Sequence, residues 1–146
     1  MKRHVAGRIF LWMLTLLCLS AGHSAQAEGK KLMVLANRET PEMDLATLRK
    51  VFLGKVIRVN GMAVTPVNLS SGNPARSSFL GTVLEQTEEK YVNYWTVRRY
   101  IGQGSPPREV KGESEMVDYL RVTPGAVGYI EEFGTPGDLQ RLSVPP

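Results

Sequence analysis

Cysteine and histidine are almost absent from this 146-residue sequence, and the few that occur lie near its start. The single cysteine is Cys18, and the two histidines are His4 and His23. The long remainder of the chain therefore contains neither residue type. This absence excludes a Ser-His-Asp or Cys-His nucleophilic site there, and equally a disulfide, a thiol redox centre and the nitrogen and sulfur ligands of typical zinc sites.

Carboxylates are the remaining groups that could act in acid–base catalysis or bind a metal. Neighbours in sequence point to different sides of a helix or strand, so solvated roles are favoured over shared sites. No loop of the alternating acidic type that binds calcium occurs. We therefore expect a protein that is not an enzyme and that uses no cofactor and no metal. The close acidic pairs considered are Glu88 with Glu89, Glu113 with Glu115, and Glu131 with Glu132.

The first 27 residues have the pattern of a cleavable export signal. A basic start is followed by an apolar run over residues 9–19, and Ala25-Gln26-Ala27 offers the small-x-small sequence that a signal peptidase cleaves. We predict a signal peptide at 1–27 and a periplasmic domain at 28–146.

Two other fates of this segment are less consistent with its residues. A retained membrane anchor is disfavoured because the apolar run is well short of the roughly 20 residues that span a bilayer as a helix. Lipidation at Cys18 is disfavoured because the bulky Leu17 precedes it where a small residue is expected.

Much of the excess basic charge lies in the predicted signal peptide. The whole sequence has 18 basic and 14 acidic residues, and Lys2, Arg3 and Arg8 precede the cleavage site, which leaves 15 against 14. A net charge of +1 gives no reason to expect a nucleic-acid partner, which is normally bound by a clustered basic face. The remaining 119 residues, 146 less 27, have the size of one domain.

Alternating strand and helix patterns predict an α/β fold. Residues 31–37 form an almost continuous apolar run, as is typical of a strand covered on both faces. Asn60-Gly61 between two apolar segments predicts a hairpin turn, and residues 126–130 predict a later strand. The starts of four predicted helices are marked by Asp44, Asn73, Thr87 and Ser114.

The third predicted helix is rich in apolar and aromatic residues. Four residues share one face, and three fall elsewhere, so we expect cover on more than one side. The first set is Tyr91, Tyr94, Trp95 and Ile101, and the second is Val92, Val97 and Tyr100. Core packing is favoured over a platform for stacking bases, because no basic groove accompanies these rings.

Four short blocks, in this order, resemble a known family. They are residues 48–55 (LRKVFLGK), Tyr94-Trp95, Gly102-x-Gly104-x-Pro106-Pro107, and residues 124–129 (PGAVGY). Over about residues 32–130 they resemble compact periplasmic proteins related to the phosphate-binding component of ABC phosphate transporters. The resemblance implies one lobe of a type 2 periplasmic-binding-protein fold, a mixed sheet flanked by helices. It implies a solute-binding protein for phosphate or another small oxyanion, acting with an ABC importer or a membrane sensor.

The resemblance also points to a ligand site at the start of the second helix. A helix start presents unpaired N–H groups and a positive dipole end, hydroxyls add donors, and an arginine adds a two-pronged contact to an oxyanion. The family's Ser-Gly-Thr is replaced here by Asn-Pro-Ala, and no arginine precedes the loop. An ordinary capped helix with a solvated arginine is the alternative. The candidate ligand-binding residues are Ser70, Ser71, Gly72, Asn73 and Arg76.

A single lobe also suggests a function of a different class. A one-lobed cleft cannot enclose a small ion as a two-lobed one can, which favours a non-transport interaction domain. Such a domain would use its cleft to bind a protein partner or itself, and a two-fold homodimer is the commonest form. Gly125, Gly128 and Tyr129 are expected to be turn and packing residues. Asn37 and Arg38, at the end of the first strand, are further ligand candidates.

Overall fold

The computed structural model describes residues 31–131 and 136–143, and the predicted signal peptide and cleavage site lie outside them. Within these residues, no helix has the length and apolar character needed to cross a membrane. Strands and helices alternate along much of the chain. They are β1 (Leu32–Ala36), α1 (Leu45–Phe52), β2 (Arg58–Val59), β3 (Met62–Ala63), β4 (Thr65–Leu69), α2 (Pro74–Thr82), α3 (Glu88–Tyr100), β5 (Arg108–Val110), α4 (Glu113–Val122), β6 (Ala126–Glu131) and β7 (Gln140–Arg141).

A five-stranded mixed sheet forms the centre, in the strand order β5-β4-β6-β1-β7. Strand β4 runs parallel to β5 and β6, whereas β1 runs antiparallel to β6 and β7. The carboxyl ends of β4, β5 and β6 therefore share one side of the sheet, here called the carboxyl edge. The predicted α/β class and the mixed sheet flanked by helices are confirmed.

Helices cover both faces of this sheet, as successive residues of β6 show. An added Cβ on Gly128 would lie 2.3 Å from the sulfur of Met116 in α4. On the other face, the Tyr129 ring stacks on Phe79 of α2 with 3.9 Å between ring centroids, and Phe52 of α1 lies 4.6 Å from Phe79. Because strand side chains alternate between faces, neighbouring residues of β6 contact different helices. The packing roles predicted for Gly128 and Tyr129 are confirmed.

Helix α3 packs against the end of α1, where three blocks of the resemblance meet. Gly54 has φ +64°, and an added Cβ would lie 2.6 Å from the ring of Trp95. Arg98 Nη2 donates hydrogen bonds to the carbonyl oxygens of Gln103, at 2.7 Å, and Gly54, at 3.4 Å. These blocks therefore belong to one packing junction.

The prediction that α3 is covered on more than one side is wrong within the described residues. Tyr91 and Trp95 are 1% and 4% exposed, whereas Ile101, expected on the same face, follows the end of α3 and is 54% exposed. Val92, Val97 and Tyr100 are 46%, 58% and 91% exposed. Residues four apart share a helix face, so Tyr91 and Trp95 are buried together while the other three point away from the core.

The predicted Asn60-Gly61 hairpin is confirmed, with one difference in strand length. Both turn residues have positive φ, +48° and +84°, and β2 pairs with β3 through Val59 and Met62. Two-residue hairpin loops commonly need positive φ at both positions, which Asn and Gly adopt readily. The segment predicted as one strand after the turn is divided between β3 and β4, because β4 joins the main sheet.

Candidate functional site

The loop between β4 and α2 lies at the carboxyl edge, with the start of α2 beside it. The Asn73 side chain accepts a hydrogen bond from the Ala75 N–H at 2.9 Å, and Pro74 occupies the first helical position, as predicted. Gly72 has φ +86°. The backbone N–H groups of Ser71 and Gly72 have no hydrogen-bond partner among the described residues. They are therefore available to a ligand.

Arg76 is buried beneath this loop, whereas the capped-helix alternative expected a solvated arginine. Its side chain is 3% exposed. Nε and Nη2 donate to the two carboxylate oxygens of Glu88, each at 2.9 Å. Nη1 donates to the Leu69 carbonyl at 2.7 Å and to Glu109 Oε1 at 2.5 Å. Arg76 thus joins the end of β4 to β5 and to the start of α3.

The environment of Arg76 keeps its guanidinium charged. Burial acts to lower the pKa of Arg76, but hydrogen bonds and charges from Glu88 and Glu109 outweigh burial and raise that pKa above its ordinary value. Two carboxylates at hydrogen-bond distance offset the positive charge locally. The charge available to an incoming anion is correspondingly reduced.

Both serine hydroxyls of the loop make contacts within the protein. Ser71 Oγ donates to Glu88 Oε1 at 3.1 Å, so Ser71 and Arg76 meet on the same carboxylate. Ser70 Oγ donates to the Lys111 carbonyl at 3.3 Å, and its N–H donates to the Val110 carbonyl at 2.8 Å. The first half of the loop is therefore attached to the segment that follows β5.

A buried polar network supports the end of β4. Asn68 Nδ2 donates to the Tyr91 hydroxyl at 3.0 Å, and the Tyr129 hydroxyl donates to Asn68 Oδ1 at 3.2 Å. The Leu69 N–H donates to Tyr129, and Tyr91 donates to the Phe52 carbonyl, each at 3.2 Å. Burial raises the pKa of both tyrosine hydroxyls, which keeps them protonated. The network holds β4 against α1 and α3.

Acidic side chains outnumber basic ones at the carboxyl edge. The Glu115 carboxylate accepts from the Lys111 N–H, and the Glu113 carboxylate accepts from the Glu131 N–H, each at 2.9 Å. Across residues 31–131 and 136–143, no group of His, Cys, Asp or Glu could hold a metal ion. Charged residues at this edge include Glu88, Glu109, Glu113, Glu115, Glu131, Arg76, Lys111 and Lys31, which precedes the Leu32 that pairs with Glu131.

Asn37 and Arg38 lie at the opposite edge of the sheet, because β1 is antiparallel to β6. Asn37 is buried, and its Nδ2 donates to the carbonyl oxygens of Leu120 and Arg121 at 2.8 and 3.1 Å. It therefore satisfies carbonyls at the end of α4 and does not join the β4–α2 loop.

Glu88 and Glu109 are residues of this site that the sequence analysis missed. They follow Arg76 by 12 and 33 positions, so no helical or strand periodicity connects them to it. The sequence held only an indirect indication that Arg76 has carboxylate partners. An arginine in the first turn of an apolar helix is rarely buried unless carboxylates pair with it.

Solved structures with a similar fold include proteins of ABC phosphate transport. An ABC-type phosphate transport receptor from Vibrio cholerae matches with a TM-score of 0.59 and 14% identity, over 77% of this chain and 45% of that one. A putative phosphate ABC transporter substrate-binding protein with bound phosphate, from Clostridium perfringens, gives 0.61, 13%, 77% and 44%. PstS from Borrelia burgdorferi gives 0.58, 19%, 77% and 46%. No family model and no curated protein sequence matches the chain.

These similarities establish the fold. The chain has a periplasmic-binding-protein-like fold, which confirms the resemblance inferred from the four sequence blocks. It spans less than half the length of the matched structures, so it corresponds to only part of each.

Proposed function

We propose that this protein is a periplasmic solute-binding module that binds phosphate or another small oxyanion at the β4–α2 loop. In this proposal it acts with an ABC importer or a membrane sensor. The main support is the pair of unpaired N–H groups of Ser71 and Gly72, beside a helix start in a fold shared with phosphate receptors. Backbone N–H groups and the positive end of a helix dipole are a common way to bind anions.

The geometry gives each loop residue a separate role in this proposal. Gly72 has positive φ, a conformation found where successive backbone N–H groups form a concave anion site. Ser70 and Ser71 supply hydroxyl donors once these leave the Lys111 carbonyl and the Glu88 carboxylate, and Asn73 keeps α2 capped. Arg76 contributes charge from beneath the loop. Binding of this kind forms and breaks no covalent bond.

Export is part of the same proposal. We expect the mature protein to begin at Glu28, because the charge, apolar run and cleavage sequence of residues 1–27 match a secretory signal. Mass spectrometry of the periplasmic fraction measures this directly. Residues retained before Glu28, or a lipid on Cys18, would contradict the prediction.

Calorimetry of the mature protein with phosphate, sulfate and other oxyanions tests the ligand class. We expect one anion to bind with a Kd below about 10 μM, which corresponds to roughly 7 kcal/mol. Ser71→Ala should weaken that binding by roughly tenfold, because a hydrogen bond to a charged group is typically worth about 1.5 kcal/mol or more. Ser77→Ala is the matched control, since Ser77 is exposed on α2 outside the loop. Equal affinity of both variants would place the site elsewhere.

A second function, a non-transport interaction domain, is favoured by the charges around Arg76. Glu88 and Glu109 already offset its charge, and the described carboxyl edge is acidic overall. Such an edge suits a protein partner or a second copy of the chain better than a small dianion. The absence of binding heat with every oxyanion, together with a dimer in light scattering at micromolar concentration, would support this function over the first.

A further inference from the structure

We propose that the Glu88 carboxylate occupies the oxyanion position of this site, so that a ligand must displace it to reach Arg76. The inference rests on the proposed oxyanion function of the β4–α2 loop, and it identifies Glu88 as the residue that limits affinity and selects the ligand.

The contacts of Glu88 are those expected of a bound anion. Arg76 Nε and Nη2 reach its two oxygens at 2.9 Å each, and Ser71 Oγ reaches one of them at 3.1 Å. Arginine binds carboxylates and phosphates through this same two-pronged geometry. Arg76 and Ser71, both candidate ligand residues, thus contact one internal carboxylate. Glu109 is different because it makes a single contact, to Nη1.

Solvent reaches Glu88 more readily than Arg76. The Glu88 side chain is 35% exposed, whereas that of Arg76 is 3% exposed, so the carboxylate lies between the guanidinium and water. Removing it would uncover the two-pronged face of Arg76.

Helix α3 does not depend on this carboxylate for its start. Thr87 caps the helix, with its hydroxyl accepting from the Lys90 N–H at 3.3 Å. Glu88 can therefore lose its carboxylate while the cap remains, and its side chain is free to swing toward solvent when an anion replaces it.

The geometry restricts the ligand to anions that offer two oxygens to one guanidinium. Tetrahedral oxyanions such as phosphate and sulfate satisfy this requirement, and so do small planar carboxylates. Because the internal occupant is itself a carboxylate, acetate is the probe that most resembles the group removed when Glu88 is truncated to alanine.

Truncation of Glu88 tests the inference. Glu88→Ala should bind at least one of phosphate, sulfate and acetate at least tenfold more tightly than the wild type in calorimetry. The same anion should raise its Tm by more than that of the wild type. Glu89→Ala is the matched control, because it removes one negative charge from the same helix turn without removing a contact to Arg76. Its affinities should stay within about threefold of the wild type.

The outcomes separate the inference from the proposed function. Anion binding by Glu88→Ala alone, or clearly tighter than by Glu89→Ala and the wild type, supports the inference. Wild-type binding that Glu88→Ala leaves unchanged, or that both variants tighten equally, overturns the inference and leaves the proposed function standing. If neither the wild type nor Glu88→Ala binds any anion, both fail. Should Glu88→Ala not fold, Glu88→Gln keeps the side-chain shape without the charge and should shift affinity in the same direction.

Discussion

Replacing Arg76 with alanine should lower the free energy of unfolding by about 2 to 4 kcal/mol. Removing one member of a buried ion pair typically costs about 3 to 5 kcal/mol, because its partners are left without compensation. Glu88 and Glu109 are 35% and 47% exposed, so water solvates them in part and the expected loss is smaller. The Leu69 carbonyl also loses a donor. Urea denaturation, with the midpoint and slope fitted together, measures the change.

Two other arginine substitutions give stability losses with which that of Arg76→Ala can be compared. Arg76→Lys keeps the charge but cannot reproduce the two-pronged contact, so its loss should be smaller, about 1 to 2 kcal/mol. Arg49→Ala removes a largely solvated salt bridge to Glu85, whose side chain is 69% exposed, and a hydrogen bond from Nε to the Val83 carbonyl at 2.6 Å. It should cost about 1 kcal/mol. An unchanged unfolding midpoint in Arg76→Ala would show that the buried cluster contributes nothing to stability.

Arg76→Ala is a poor test of ligand binding. Arg76→Ala weakens the fold as well as any ligand contact, so loss of binding in that variant is not specific to the ligand. Substitution of Ser71 reports on binding more directly, because its side chain is exposed. Glu88→Ala leaves Nε and Nη2 of the buried Arg76 without their carboxylate, so its stability is measured together with its affinity.

Gly125→Ala should destabilise the protein by about 2 to 5 kcal/mol. Gly125 has φ +80°, which costs an alanine about 1 to 2 kcal/mol, and the new Cβ would lie 2.2 Å from the Ala63 carbonyl oxygen. Overpacking at such a contact adds about 1 to 3 kcal/mol. The Gly125 carbonyl accepts from the Thr65 N–H at 2.9 Å, so the clash cannot be relieved without separating β4 from β6.

The hairpin glycine provides the matched control. Gly61 has φ +84° and no atom within 4 Å of an added Cβ. Gly61→Ala should therefore lower the free energy of unfolding only by the cost of a left-handed backbone at alanine, about 1 to 2 kcal/mol. The difference between the two unfolding free energies isolates the contact with Ala63. Equal losses would mean that the backbone at residue 63 moves aside without cost.

The elements of this fold were predictable wherever their signals are local. Asp44 accepts from the Thr47 N–H, three positions away, and Asn73 accepts from the Ala75 N–H, two positions away. The Asn60-Gly61 turn is equally short-range. Caps and tight turns depend on side chains and backbone a few residues apart, so the sequence alone contained the information for them.

The way in which elements far apart in sequence pack against one another was not predictable from local signals. The side of α3 that is buried depends on where α1 ends. Gly54, just after α1, leaves room for the Trp95 ring, so the Trp95 side of α3 faces the core and Tyr100 faces solvent. When apolar residues lie on several faces of a helix, the sequence does not show which of those faces packs against the core.

By itself, the sequence determined the α/β class, the starts of the first three helices, the hairpin and the candidate loop from Ser70 to Asn73. The fourth helix begins at Glu113 with Gly112 as its cap, and not at Ser114 as predicted. Only the tertiary structure decided the state of Arg76. The arginine meets carboxylates from α3 and β5, 12 and 33 positions later in the chain. Periodicity describes residues on one element, whereas the charge environment of Arg76 is set by three elements that converge only when the sheet and helices have packed.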